Sequence, residues 1–218
     1  MERKGYDRKE VSEDGTVRYF DAEGKLHRED GPAVEDADGS RVWYRNGLIH
    51  REDGPAVERA DGTNIWYWNG LPHREGGPAI ESADGKREWY WSGELHREDG
   101  PAMEEADGTK AWFWNGRLHR EGGPACEYAD GKREWYKNGK LHRLDGPAVE
   151  DATGTKVWYQ NGKRHREDGP AIEYEDGRKE WWVDGKRMTE GKFRILHPEA
   201  FATLPAGKKS RTTTLRLV

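Results

Sequence analysis

The chain has 218 residues, 42 Asp and Glu against 37 Lys and Arg, and a formal charge of −5. No apolar run reaches the ~18 residues of a membrane span, and Met1-Glu2-Arg3-Lys4-Gly5-Tyr6 lacks the apolar stretch of a secretory signal. Basic residues are spread along the chain, which argues against double-stranded nucleic acid as a partner, and the single cysteine, Cys126, excludes an intrachain disulfide framework and fits a reducing cytosol.

Leu, Ile, Val and Phe make up only about 13% of the residues, a range associated with disorder. Yet the chain carries 11 Trp and 9 Tyr, whose rings bury large areas and can hold small units together. Their placement is periodic. From the N-terminus, residues 1–26 read as a cap with a half repeat: Asp14-Gly15-Thr16-Val17-Arg18-Tyr19-Phe20, then Gly24-Lys25-Leu26. Residues 27–187 hold seven 23-residue units, each opening on His-Arg, at His27, His50, His73, His96, His119, His142 and His165. A period of this length marks an array in which each unit packs on its neighbours.

Within a unit such as His50–Pro72, Pro55-Ala56-Val57-Glu58-Arg59-Ala60 reads as a short strand. Asp61-Gly62 reads as a two-residue turn, Thr63-Asn64-Ile65-Trp66-Tyr67-Trp68 as a second strand, and Asn69-Gly70 as another turn. The Gly-Pro pair, here Gly54-Pro55, marks the return corner, because proline cannot donate to a central ladder. About fourteen such strands at ~4.8 Å spacing would make a continuous ladder roughly 65 Å long. A β-propeller is the rival, although its blades need 40 or more residues. Residues 188–218 read as a C-terminal cap, carried by Phe193-Arg194-Ile195-Leu196-His197-Pro198-Glu199-Ala200-Phe201, and a basic tail, Gly207–Arg216.

The run Trp66-Tyr67-Trp68-Asn69-Gly70-Leu71-Pro72-His73 and its counterparts resemble the MORN repeat and its bacterial and viral variants, over roughly residues 14 to 187. The chain departs from that pattern in Arg-Glu-Asp-Gly-Pro-Ala after the His, where MORN repeats have Gly-x-Gly. The resemblance implies an all-β, elongated array of stacked antiparallel hairpins that acts as a scaffold or binding surface. In bacteria or their viruses it is compatible with inhibitor or antitoxin-like partners.

Every candidate acid, base or ligand recurs in all or most units, whereas an active site needs one set of groups in one environment, so no catalytic residue, cofactor or metal is assigned. The recurring Arg (28 to 166) and Glu (35 to 173) read as ion-pair rungs between neighbouring units, and the recurring Trp (43 to 181) as core. The His column reads as structural, with metal binding or pH sensing as the alternative. Cys126 stands in an apolar slot filled elsewhere by Val34, Ile80 or Met103. Two positions alternate: Gly76 and Gly122 replace Asp in the third and fifth units, where Glu88 and Glu134 precede the Trp. Either one acid serves two adjacent places or a two-unit block was duplicated.

Two positions after the repeated Trp stand Trp68, Trp91 and Trp114 in units two to four, against Arg45, Lys137, Gln160 and Val183 elsewhere. The repeat does not require these three, so they are the expected contact centre for a protein partner. The same row would otherwise be buried mid-array or paired with a second copy of the chain. The expected function is thus non-enzymatic and cytoplasmic binding of another protein. The alternative is sequestration of a small anionic ligand such as a nucleotide, held by Arg74, Arg97 and Arg120 with His73, His96 and His119.

Overall fold

The computed structural model describes residues 5–202, so the basic stretch Gly207–Arg216 lies outside the described residues. The fold is the expected elongated all-β array of hairpin repeats.

Each unit makes two hairpins of different kinds. In the first, Val57–Glu58 pairs with Asn64–Ile65, and Asn64–Ile65 pairs onward with Ile80–Glu81 of the next unit. Repetition of these two steps gives one antiparallel meander of 17 strands, beginning at Arg8–Val11. The ladder runs in chain order without breaking into blades, which removes the propeller alternative. The second hairpin, Tyr67–Trp68 with Leu71–Pro72, stands outside that sheet. Six of these two-stranded hairpins form a row along the array.

The six-residue aromatic strand read from sequence is therefore broken at its Trp. The Trp66 N–H donates to the Ala79 carbonyl of the next unit at 2.8 Å, and the Trp66 carbonyl accepts from the His73 N–H at 3.1 Å. With both backbone groups committed to other partners, Trp66 joins neither ladder, and the chain passes there from the long sheet to the small hairpin. Among the seven full units the strand is continuous only in the last, over Lys179–Val183.

Asn69-Gly70 makes the expected two-residue turn, with φ of 49° and 81°. Asp61-Gly62 does not. The Gly62 N–H donates to Arg59 O at 3.0 Å and the Arg59 N–H to Thr63 O at 2.9 Å, giving a longer loop in which only Gly62 has positive φ. The Asp61 carboxylate accepts the Thr63 N–H at 2.8 Å, so aspartate acts here by folding its own loop.

The most deeply buried column is alanine. Ala33, Ala56, Ala79, Ala102, Ala125, Ala148 and Ala171 are 0% exposed. The repeated Trp, expected as core, are half-buried instead. The small side chain fits because the backbone of the neighbouring unit closes on it, each Ala carbonyl from Ala56 onward taking the Trp N–H of the unit before.

At the N-terminal end Arg8–Val11 completes a hairpin with Val17–Phe20, a strand that the half-repeat reading did not include. Tyr19 occupies the Trp position of that half unit, since its N–H donates to Ala33 O as Trp43 does to Ala56 O. At the other end the helix Glu190–Leu196, capped by the Thr189 side chain, places Phe193 at 0% exposure against the array. Ile195 and Leu196 of the same apolar stretch are exposed.

Candidate functional site

The repeated arginine is held on every side but one. The Arg51 guanidinium lies 4.0 Å over the Trp43 ring of the preceding unit, and the corresponding Arg74, Arg97 and Arg120 lie 3.8, 4.1 and 3.8 Å over Trp66, Trp89 and Trp112. Its other face meets Gly54, where a Cβ would stand 3.0 Å from the Arg51 Cζ. In the plane, Nη1 donates to Pro55 O at 3.1 Å and to Glu58 Oε1 at 2.9 Å, and Nε donates to Asp53 Oδ1 at 2.9 Å. The Arg–Glu ion pairs expected between neighbouring units thus lie inside one unit. The arginine reaches its neighbour through the Trp ring instead, a contact worth about 0.5–2 kcal/mol depending on desolvation.

The repeated histidine is likewise built into the array. Nδ1 of His50 accepts the Asn69 N–H at 3.1 Å, and His73, His96 and His119 accept from Ser92, Asn115 and Asn138 at 3.1, 3.2 and 3.1 Å. This bond satisfies the tip of the small hairpin, and at His96 and His119 Nδ1 also lies 2.8 and 3.0 Å from the side-chain oxygens of Asn115 and Asn138. The turn also donates from Gly70 N–H to Ile49 O of the hairpin before it at 2.8 Å. Among the described residues no three His, Cys, Asp or Glu side chains converge as metal ligands.

Trp68, Trp91 and Trp114 are 47%, 51% and 45% exposed. Each lies against the histidine ring that opens its own unit, with centroids 4.6 Å apart for His50–Trp68 and 4.5 Å for His73–Trp91 and His96–Trp114. A groove runs beside each indole. That at Trp68 holds about 1060 Å³ and is lined by Trp66, His73, Arg74 and Glu75. That at Trp91 holds about 800 Å³, between Arg74 and Arg97. That at Trp114 holds about 660 Å³, between Arg97 and Arg120. Shared walls, Arg74 with Glu75 and Arg97 with Glu98 and Asp99, join the three grooves into a trough along units two to five.

The residues expected to bind an anion thus line the same trough as the indoles, but they differ in what they offer. The His Nδ1 atoms are occupied by the turns. Arg97 donates its Nε to Asp99 at 2.7 Å, whereas among the described residues Arg74 and Arg120 make only their Nη1 bonds, to Pro78 O and Glu81 and to Pro124 O and Glu127.

Glu88 and Glu134, the second half of the alternation, sit elsewhere. Glu88 pairs with Lys86 at 3.1 Å. Buried Glu134 takes Lys132 at 2.8 Å and the hydroxyls of Tyr128 and Tyr136 at 2.9 and 3.1 Å. Burial, then the charge of Glu134, push the neighbouring Cys126 thiol up to about 11, so it is not an activated nucleophile.

No helix among the described residues is long and apolar enough to cross a membrane. No protein-family model matches the chain, and no curated protein matches it either, so the geometry of the trough is what bears on function.

Proposed function

We propose that the chain is a non-enzymatic, MORN-like binding module that grips another protein along Trp68, Trp91 and Trp114. The observation that supports this reading is their exposure at equivalent places of three adjacent units, each indole supported from behind by a histidine ring. Large apolar rings held rigid at a surface lose little entropy on contact, which is why tryptophan dominates binding hot spots. The array itself does without these rings in the units that carry Arg45, Lys137 and Gln160. A cytoplasmic scaffold or inhibitor, including an antitoxin-like binder of bacterial or phage origin, is the class of protein this reading covers.

The test is capture of partners from a host-cell lysate by the native chain and by the triple variant Trp68→Ser, Trp91→Ser, Trp114→Ser, with circular dichroism on both. A protein retained only by the native chain, with both chains folded alike, supports the reading. Equal retention by the two chains refutes the Trp row as the contact centre.

A further inference from the structure

Five of the repeated arginines receive two carboxylates each, and two receive one. In Arg28, Arg51, Arg97, Arg143 and Arg166 the Nε donates to an aspartate two residues on, at 2.7, 2.9, 2.7, 3.0 and 2.7 Å. At Arg74 and Arg120 that aspartate is replaced by Gly76 and Gly122, which take a positive φ of 74° and 77° that the aspartates do not, and nothing lies within 4 Å of where their Cβ atoms would be. Among the described residues no acceptor meets either Nε. The two side chains are 31% exposed, against 19–23% for the other four arginines that keep both a glutamate and an aspartate partner at short range and for Arg97.

The two guanidinia are nevertheless held like the rest. Arg74 lies 3.8 Å over Trp66 and Arg120 3.8 Å over Trp112, and both keep a 2.8 Å bond to their unit's glutamate. A planar donor whose faces and one edge are fixed, with the other edge open, is preorganised for a carboxylate. The exposed acid beside each, Glu75 or Glu121, does not prevent this. Arg97 holds Asp99 with Glu98 in the same place. Arg74 lines the grooves of Trp68 and Trp91, and Arg120 that of Trp114.

We propose that Arg74 and Arg120 are paired receptor sites for two carboxylates of a bound protein, each filling the place that an aspartate of the chain fills on the other guanidinia. Two repeats are four strands of the ladder, so the two carboxylates lie on the order of 19 Å apart on the partner. The occupant rests on the protein-binding reading above; the two anion sites do not.

Acetate titration of the ¹⁵N-labelled chain at constant ionic strength, followed at the arginine Nε–H resonances, tests the sites directly. Arg74 and Arg120 should shift and saturate at roughly tenfold lower acetate than Arg51, Arg97, Arg143 and Arg166. Asp99→Gly, which removes the aspartate without demanding a new backbone angle, should open the Nε edge of Arg97 and bring its response into the range of Arg74 and Arg120. Uniform shifts of all arginines, or none, would overturn the proposal. Saturation by inorganic phosphate but not by acetate would overturn the carboxylate assignment. If acetate binds as expected while the triple Trp variant still captures its protein, the Trp reading fails and the sites stand. If the Trp variant loses the protein and Arg74→Gln, Arg120→Gln retains it undiminished, the carboxylate-bearing partner is refuted.

Discussion

Gly100 stands so close to Arg97 that a Cβ there would lie 2.8 Å from the guanidinium carbon. Gly100 does not have positive φ, so its need for glycine is a matter of space and not of backbone conformation. Gly100→Ala should lift the guanidinium off Trp89 and cost about 1–2 kcal/mol, the scale of the stack and its charged hydrogen bonds. In an Arg97→Ala background the same methyl should cost much less. Denaturant unfolding of the two single variants and the double gives the coupling directly, and additive effects would refute the contact.

The alanine column sets the tolerance of the array to volume. Ala102→Leu inserts three heavy atoms where the neighbouring unit's backbone already closes, and overpacking of this kind costs about 1–3 kcal/mol or more. Trp91→Ser, on the exposed face, should move the midpoint of unfolding far less. Similar losses for the two would show that the Trp row is packed and not presented.

Acid should loosen the array gradually. Backbone N–H groups of Ser40, Thr63, Thr109 and Thr153 hold the carboxyls of Asp38, Asp61, Asp107 and Asp151 below the usual range, and the arginine partners do the same for Asp30, Asp53, Asp99 and Asp145. A carboxyl whose pKa is lowered by folding adds stability that is complete above its unfolded pKa, near 3.9, and is lost as pH falls through the folded value. Stability measured by denaturant from pH 6 to pH 2 should therefore decline mainly below pH 4. Removing one loop aspartate, as in Asp61→Asn, should flatten that decline; an unchanged profile would show that the loops do not carry it.

Cys126 should be slow to alkylate. With its thiol pushed up to about 11, less than 1% is thiolate at pH 8.5, and the side chain is buried. Labelling by iodoacetamide at that pH should follow opening of the array and accelerate sharply in urea. Fast labelling of the native chain would contradict the burial.

The Asn-Gly turn and the short strand before Asp-Gly were legible because they depend on residues adjacent in sequence, whereas the Asp61-Gly62 loop is longer than its dipeptide suggests and the break at Trp66 depends on bonds to other parts of the array. The Arg–Trp–Gly stack was not legible. Arg51 meets a ring of the preceding unit, and a packing glycine such as Gly54 looks in sequence like any turn glycine. The Trp column misled for a related reason: its size suggested a core, while the space between units admits only the methyl of Ala56 or Ala79. The alternation at Gly76 and Glu88 was visible, but its two halves share no contact, since Glu88 pairs with Lys86. The spatial explanation thus fails, and the duplicated two-unit block remains. Exposure of Trp68 could not be read at all, because a tryptophan serves equally well on either face of a hairpin.

Each arginine stacks backward onto the unit before it, so the array has a direction: Trp158 is covered by Arg166, while Trp181 is followed across its hairpin by Met188 and then by the helix that seats Phe193. The C-terminal helix therefore acts as a terminator, and an extra 23-residue unit belongs upstream of residue 188. Lengthening between existing units would preserve every stack and both ends, and would turn the chain into a ruler whose reach grows by one hairpin pair at a time.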